Sequence, residues 1–210
     1  EDIARPDGAA ASYSGAYRAM YNKSVVAKSM LQGLPNFWTP RVNVMMGMGG
    51  VEVQFANPTE TSYYDTSPML DTLRRHCNFA WHNQGHGARL SLGATRVDTG
   101  KLEFFDSLNC QIGPAHALAS GSLPPGFPAT EINGKYYWDG GCVTNTPLQA
   151  VLDDTHETAD LRVFMVDLWG AHGRLPTTMD GVAWRQKEIQ YASRMDQHGT
   201  LRKVPPTHGQ

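Results

Sequence analysis

Apolar side chains recur with helical spacing in three parts of the chain. The pattern predicts helices over 14–31, from Thr66 or Ser67 to about His76, and over 179–194. A proline near the first turn predicts two shorter helices at 114–120 and 146–152. Glycine and proline residues separate these segments.

Several short runs rich in β-branched and aromatic residues predict strands. They lie at 89–95, 102–106, 130–132 and 135–138. Asn133 and Gly134 stand between the last two runs, and this dipeptide is typical of a type I′ hairpin turn. The run from Leu161 to Leu168 is almost continuously apolar, which predicts a strand buried on both faces.

Strands that alternate with helices predict an α/β fold. The length of 210 residues fits one domain of ordinary size. We place this domain at 14–196, with a flexible N-terminal arm over 1–13 and a polar tail over 197–210. No internal repeat divides the chain.

The net charge and the number of cysteines exclude some classes of function and indicate a cellular compartment. A formal net charge of -2 gives no field that would attract nucleic acid. No apolar run reaches the roughly 20 residues that span a bilayer, and the first residues contain no apolar region typical of a signal peptide. The odd number of cysteines predicts reduced thiols in the cytoplasm. Cys142 has no basic neighbour and is interpreted as a small buried residue.

One carboxylate stands out as a candidate for catalysis. Asp139 ends a predicted strand and is followed by Gly140 and Gly141, within the sequence WDGG. The glycines allow a sharp turn and a close approach of the backbone. A carboxylate there could act as a general base if it is positioned and partly desolvated. The same pattern is also typical of an ordinary turn.

Histidines offer a weaker candidate site. His82 and His86 are four residues apart, a spacing that could bind zinc on a helix. Gly85 and Gly87 disfavour a helix there, so a polar loop is predicted, with no metal site and no cofactor. His116 is interpreted as a residue of a helix start rather than as a base.

Separated motifs give the chain a family resemblance. The sequences at 119–128 (ASGSLPPGFP), 136–141 (YYWDGG) and 145–148 (NTPL) resemble the C-terminal half of bacterial patatin-like phospholipases. Three further stretches fit the same branch, at 62–66, 90–94 and 185–191. The resemblance covers roughly 20–195, and its motifs follow the family order.

The resemblance implies a three-layer α/β sandwich and a lipid acyl hydrolase with a Ser–Asp dyad. The family serine lies in G-x-S-x-G on a nucleophile elbow, and a glycine-rich loop forms the oxyanion hole. The family aspartate lies in D-G-G or D-G-A, which maps onto Asp139. The residues expected to bind substrate are Gly121, Pro124, Pro125, Gly126, Phe127, Gly140, Gly141 and Asn145.

This sequence departs from the family pattern at the nucleophile. It contains neither G-x-S-x-G nor G-G-G-x-x-G, and the resemblance places both motifs upstream of 14–41. Ser120 and Ser122 are the nearest substitutes, but neither is predicted at a strand-to-helix elbow. We therefore expect a partial sandwich, whose N-terminal strand and elbow precede Glu1 or lie on a second chain.

Two functions follow as hypotheses. In the first, the chain supplies the base and the pocket wall of a lipid acyl-ester hydrolase, in the cytoplasm or in peripheral contact with the inner membrane. In the second, a split or catalytically dead patatin-like fold serves binding or assembly. An aromatic cluster, Phe37, Trp38, Tyr63 and Tyr64, is interpreted as core or as a lip over the pocket, with a lipid-facing surface as the alternative.

Overall fold

The helices and strands follow most of the predicted pattern. A computed structural model describes residues 15–42, 44, 54–152, 162–166 and 168–192. The helices on which the fold and the site depend are α1 (Gly15–Gln32), α2 (Ser67–His76), α3 (Phe79–Asn83), α4 (Pro114–Ser120), α5 (Leu148–Leu152) and α6 (Met179–Tyr191). The strands are β1 (Thr39–Pro40), β2 (Tyr64–Asp65), β3 (Ser91–Arg96), β4 (Leu102–Asp106), β5 (Thr130–Ile132) and β6 (Lys135–Asp139).

A four-stranded antiparallel sheet in the order β4-β3-β6-β5 forms the centre of the fold. Ala94 of β3 lies between Glu103 of β4 and Asp139 of β6. The predicted hairpin between β5 and β6 is confirmed, since Asn133 and Gly134 both have positive φ angles, 51° and 73°. A second, two-stranded sheet pairs β1 with β2. The α/β fold class is therefore confirmed.

Helix α4 packs on strands β3, β5 and β6, and α2 packs on α4. The core between α4 and the sheet holds Ala94, Ala119, Ile132 and Tyr137, with Phe105 and Ala115 against it. Small side chains at the helix and at the central strand let the two elements approach closely. Tyr137 fills the remaining space, with its ring centroid 5.1 Å from that of Phe105.

Arg89 and Asp106 fasten the start of β3 to the end of β4. The Arg89 Nε donates to both Asp106 carboxylate oxygens, at 3.0 and 2.9 Å, and Ser91 Oγ donates to the same carboxylate. These contacts hold the pKa of the buried Asp106 carboxyl well below its usual range. The predicted strand began at Arg89, whereas β3 begins at Ser91.

The predictions for the helices hold, with differences at the ends of three of them. Helix α1 ends before Gly33, whose φ of +82° suits glycine, but its Met20 and Leu31 are exposed rather than packed. Helix α2 begins after Thr66 as predicted, although the Asp65 carboxylate accepts the Ser67 N–H in place of a Thr66 cap. The predicted helix at 146–152 begins at Leu148, and α6 ends at Tyr191.

The prediction of a buried strand over 161–168 is wrong for the residues described there. Residues 162–166 and 168 form no strand, and Phe164, Val166 and Leu168 are 83%, 77% and 78% exposed. Within the described chain, neither edge strand of the sheet pairs with this run. Apolar composition favours a strand only where a neighbouring strand accepts its hydrogen bonds.

Helix α3 replaces part of the predicted polar loop. The Asn78 side chain accepts the Trp81 N–H at 3.0 Å, which caps the helix. Asn83, at the other end, donates to the Ile112 carbonyl at 2.8 Å and accepts the Ile112 N–H at 2.9 Å. These side-chain bonds explain why five residues are helical in a region predicted as loop.

The predicted arm at 1–13 and tail at 197–210 lie outside the described residues. Among the helices that are described, none combines the length and the apolar character needed to span a membrane.

Replacing Gly140 by alanine is expected to destabilise the fold. A Cβ at Gly140 would lie 2.7 Å from the carbonyl oxygen of Gly93, which belongs to the paired strand β3. We expect Gly140→Ala to lower the free energy of unfolding by about 1–3 kcal/mol, measured by urea denaturation. Gly121→Ala is the matched control, since its Cβ would meet its nearest neighbour at 3.9 Å. Equal losses in the two variants would contradict this explanation.

Candidate active site

The backbone of Asp139 is held by hydrogen bonds on both sides. Its N–H donates to the carbonyl of Ser122 at 2.9 Å, and its carbonyl accepts the Thr95 hydroxyl at 2.9 Å. Ser122 follows helix α4 and Thr95 belongs to strand β3, so two different elements fix the end of β6. Asp139 therefore has a defined position at the end of an inner strand of the sheet.

A 3₁₀ turn over Gly140–Cys142 sets the direction of the Asp139 side chain. The Gly141 N–H donates to Asp139 Oδ1 at 2.7 Å. A Cβ at Gly141 would lie 3.2 Å from that same oxygen, so the absence of a side chain leaves room for the carboxylate. The two glycines thus have separate roles, Gly140 against strand β3 and Gly141 against the carboxylate.

Burial governs the electrostatics of the site. It raises the pKa of the Asp139 carboxyl, and the hydrogen bond from Gly141 offsets part of that rise. Partial desolvation of the sulfur and the negative charge of Asp139 also raise the pKa of the Cys142 thiol, although the residue as a whole is exposed. Asp139 is therefore a stronger base than a free aspartate, and Cys142 is held in its unreactive thiol form. Cys142 is exposed, so the prediction that it is buried is wrong.

Asn145 and the end of helix α6 complete the surroundings of Asp139. Asn145 Nδ2 donates to the Tyr191 carbonyl at 3.0 Å, and its Oδ1 lies near the open side of Gly141. Burial raises the pKa of the Tyr191 phenol, and so does the negative charge of Asp139. Of the predicted site residues, Asp139, Gly140, Gly141 and Asn145 are thus brought together.

The other predicted binding residues lie on the loop between α4 and β5. Its Pro125 and Gly126 carbonyls accept the N–H groups of Tyr63 and Tyr64, at 3.2 and 3.0 Å. Phe127 packs its ring edge-on against the Tyr64 ring, with 6.4 Å between centroids. Pro124 belongs to the same loop, and Gly121 lies at the C-terminal end of α4. Their role in binding stays a prediction.

The aromatic cluster is core at its centre. Trp38 is 8% exposed, and its ring lies 4.2 Å from that of Tyr64. Phe37 adds an edge-on contact to Phe127 at 5.8 Å. Trp38 therefore packs inside the molecule rather than presenting its ring to solvent.

Comparison with known proteins gives one match. A family model described as patatin-like phospholipase matches residues 14–152, well over half of the chain. The chain belongs to this family. No curated protein and no solved structure matches it. The resemblance found in the sequence is confirmed, although the patatin-like match ends before the stretch at 185–191. The bacterial branch stays a prediction.

Ser122 of this patatin-like chain has a structural role. It is 1% exposed, its Oγ donates to the Leu118 carbonyl at 2.9 Å, and it shares a second hydrogen bond with Thr130 Oγ1 at 2.9 Å. A hydroxyl group that is buried and makes two hydrogen bonds within the fold cannot reach a substrate. Ser120 is the last residue of α4 and lies at no strand-to-helix turn.

Sequence reasoning missed Thr95 and Tyr191. Thr95 contacts Asp139 through the register of β3 with β6, and only the strand pairing could have revealed it. Tyr191 ends the stretch at 185–191 that resembles the family, but the sequence does not show that its backbone meets Asn145, 46 residues earlier.

The described histidines form no metal centre. His82 lies in helix α3, whereas His86 follows the helix and stacks on Trp81 with 5.1 Å between ring centroids. Among the described residues, no three His, Cys, Asp or Glu side chains are grouped to hold a metal ion. His116 accepts the Gly113 N–H at the start of α4, at 2.9 Å, as expected of a helix-start residue.

Replacing Ser122 by alanine is expected to change stability but not labelling by a fluorophosphonate. The variant leaves Thr130 Oγ1 and the Leu118 carbonyl without their buried partner, at a cost of about 1–3 kcal/mol in the free energy of unfolding. Chemical denaturation measures the loss, and a labelling gel of the full-length protein measures reactivity. Loss of labelling in a folded Ser122→Ala variant would show that Ser122 is the nucleophile after all.

Proposed function

We propose that this chain carries the catalytic base of a lipid acyl-ester hydrolase, and that Asp139 is that base. The observation that carries the proposal is the Asp139 carboxylate itself. The backbone of Asp139 is held by hydrogen bonds to Ser122 and Thr95. The Gly141 N–H orients its carboxylate, and burial raises the pKa of that group. The family match to patatin-like phospholipases supports acyl esters of lipids as the substrate class.

In the proposed reaction, the ionised Asp139 takes the proton of a serine hydroxyl as the serine oxygen attacks the ester carbonyl. The protonated carboxyl then gives this proton to the departing alcohol. Water, activated by the same carboxylate, hydrolyses the acyl-serine and restores both groups. Backbone N–H groups of a glycine-rich loop would stabilise the negative oxygen of each tetrahedral intermediate.

We further propose that the serine and the glycine-rich loop come from residues ahead of Glu1 or from a second chain. Two observations support this. The 210 residues contain no G-x-S-x-G motif, and the hydroxyl of Ser122 is enclosed within the fold. The ester would lie against a surface formed by the loop at 124–127 together with Gly121 and Asn145.

A binding or assembly role without catalysis is the second candidate. The exposed apolar side chains at 163–168 favour it, because such a run suits contact with another protein surface. The coding sequence ahead of Glu1 separates the two candidates. A glycine-rich strand-loop followed by G-x-S-x-G supports the hydrolase, whereas a start codon with neither motif supports the binding role. The cytoplasmic location and peripheral membrane contact stay predictions.

Replacing Asp139 by asparagine is expected to abolish hydrolysis while the fold persists. Asparagine keeps the oxygen that accepts the Gly141 N–H but cannot take a proton, so kcat should fall by about 10²–10⁴-fold. Hydrolysis of a short-chain nitrophenyl ester by the full-length protein measures the effect. Asp98→Asn is the matched control, because Asp98 lies in the exposed turn between β3 and β4 and pairs with Arg96. Full activity in Asp139→Asn would remove Asp139 from the mechanism.

The raised pKa of Asp139 predicts two effects of pH. The ionised base is lost at a higher pH than for a free aspartate, so the acidic limb of kcat/KM should lie above the ordinary value of about 3.9. The folded state also holds the Asp139 proton more tightly than the unfolded state, so stability falls as pH rises from the ordinary to the raised pKa.

Asp139→Asn removes this loss of stability. The melting temperature of the variant relative to the native protein should therefore be higher at about pH 7 than at about pH 4. Thermal denaturation followed by circular dichroism at both values measures the difference. A difference that is the same at both values would contradict the burial of this carboxyl group.

A further inference from the structure

Asn145 ties two distant parts of the chain together beside Asp139. Its amide donates to the Tyr191 carbonyl at 3.0 Å across 46 residues of sequence. Its Oδ1 lies 3.6 Å from the position that a Cβ on Gly141 would occupy. The end of helix α6 is therefore fixed against the turn that directs the Asp139 carboxylate.

The bond suits the end of a helix. The last carbonyls of an α-helix lack intrahelical donors, and the Asn145 amide satisfies that of Tyr191. The next residue, Ala192, is 8% exposed and donates its N–H to the Glu188 carbonyl at 2.8 Å. A buried residue directly after the helix shows that α6 ends against the body of the protein.

Three aromatic rings lie together on this side of the site. The Trp169 ring lies 5.8 Å from that of Tyr191 and 5.6 Å from that of Trp184. We call these three residues the aromatic wall. Trp184 is 58% exposed, so an incoming molecule can reach it, whereas Tyr191 is half-buried beside Asp139.

The charge around the wall favours an uncharged ligand. Burial and the negative charge of Asp139 raise the pKa of the Tyr191 phenol, so the phenol is neutral. The Asp139 carboxylate would repel an anionic group. A hydrocarbon chain, by contrast, gains free energy when it moves out of water and packs against the faces of the aromatic rings. The wall therefore matches an apolar, neutral part of a substrate.

We propose that the aromatic wall of Trp169, Trp184 and Tyr191 binds the acyl chain of the substrate, and that Asn145 is the positioning residue that holds this wall against Asp139. The proposal rests on the proposed function, since it assigns the acyl portion of that substrate. It concerns residues beyond the family match, which ends at 152. The chain-length preference of this protein would thus depend on a segment that the family model does not cover.

Binding of octanamide to the full-length protein tests the proposal without any reaction. Octanamide is a neutral analogue of an acyl ester, and propanamide is the short-chain comparison. Isothermal titration calorimetry should show tighter binding of octanamide. Trp184→Leu should raise its Kd by about tenfold, the loss expected for a central aromatic contact. Trp81→Leu is the matched control, since Trp81 is also exposed, at 51%, but stacks on His86.

A second substitution guards against loss of folding. Trp169→Phe keeps an aromatic ring of smaller area, so a raised Kd in this variant, with an unchanged circular dichroism spectrum, supports the wall. Asn145→Ala should weaken the binding of octanamide more than that of propanamide, whereas a general loss of structure would weaken both equally. No binding of octanamide, or equal effects of Trp184→Leu and Trp81→Leu, would overturn the proposal.

The two proposals fail separately. Asp139→Asn should keep the native preference for octanamide over propanamide, because the aromatic wall contacts the hydrocarbon chain and not the carboxylate. Hydrolysis that survives Asp139→Asn would overturn the catalytic role of Asp139 while the binding data still report on the wall. Hydrolysis lost in Asp139→Asn, with octanamide binding insensitive to the wall substitutions, would leave the catalytic role standing and overturn the wall.

Discussion

The close contact between Gly140 and strand β3 is the constraint on which the candidate site depends. Strand β6 ends where the Asp139 carbonyl accepts the Thr95 hydroxyl. The chain can turn there because Gly140 has no side chain that would collide with the Gly93 carbonyl. The 3₁₀ turn then returns the Gly141 N–H to the Asp139 carboxylate. A backbone packing requirement thereby determines where a charged side chain lies.

The same constraint links stability to chemistry. The carboxylate is partly buried because the turn folds tightly onto the sheet, and this burial disfavours its ionised form. The protein thus tolerates an unfavourable charge at the position of the proposed base. By contrast, the buried Asp106 is matched by Arg89 and Ser91, so its charge stabilises the strands that it joins.

Sequence reasoning predicted those elements whose causes are local. The Asn133–Gly134 turn, the proline at the start of α4 and the glycine after α1 each act within a few residues, and all are confirmed. It failed where the cause is distant. The run at 161–168 has strand-like composition, but strand formation depends on a neighbour elsewhere in the chain, and none of the described strands pairs with it. Likewise, Asp139 was identified from its motif, whereas its contacts with Thr95 and Ser122 depend on strand register and on a loop.

Helix α3 shows what a single amide can do for a short element. Five residues are too few for an isolated helix to persist in water, yet Asn83 binds the Ile112 backbone through both its donor and its acceptor. In doing so the side chain imitates a peptide group of a neighbouring strand. Aspartate would lose the donor, leucine would lose both bonds, and glutamine would place its amide one carbon too far away. Asparagine is therefore the side chain that this position requires.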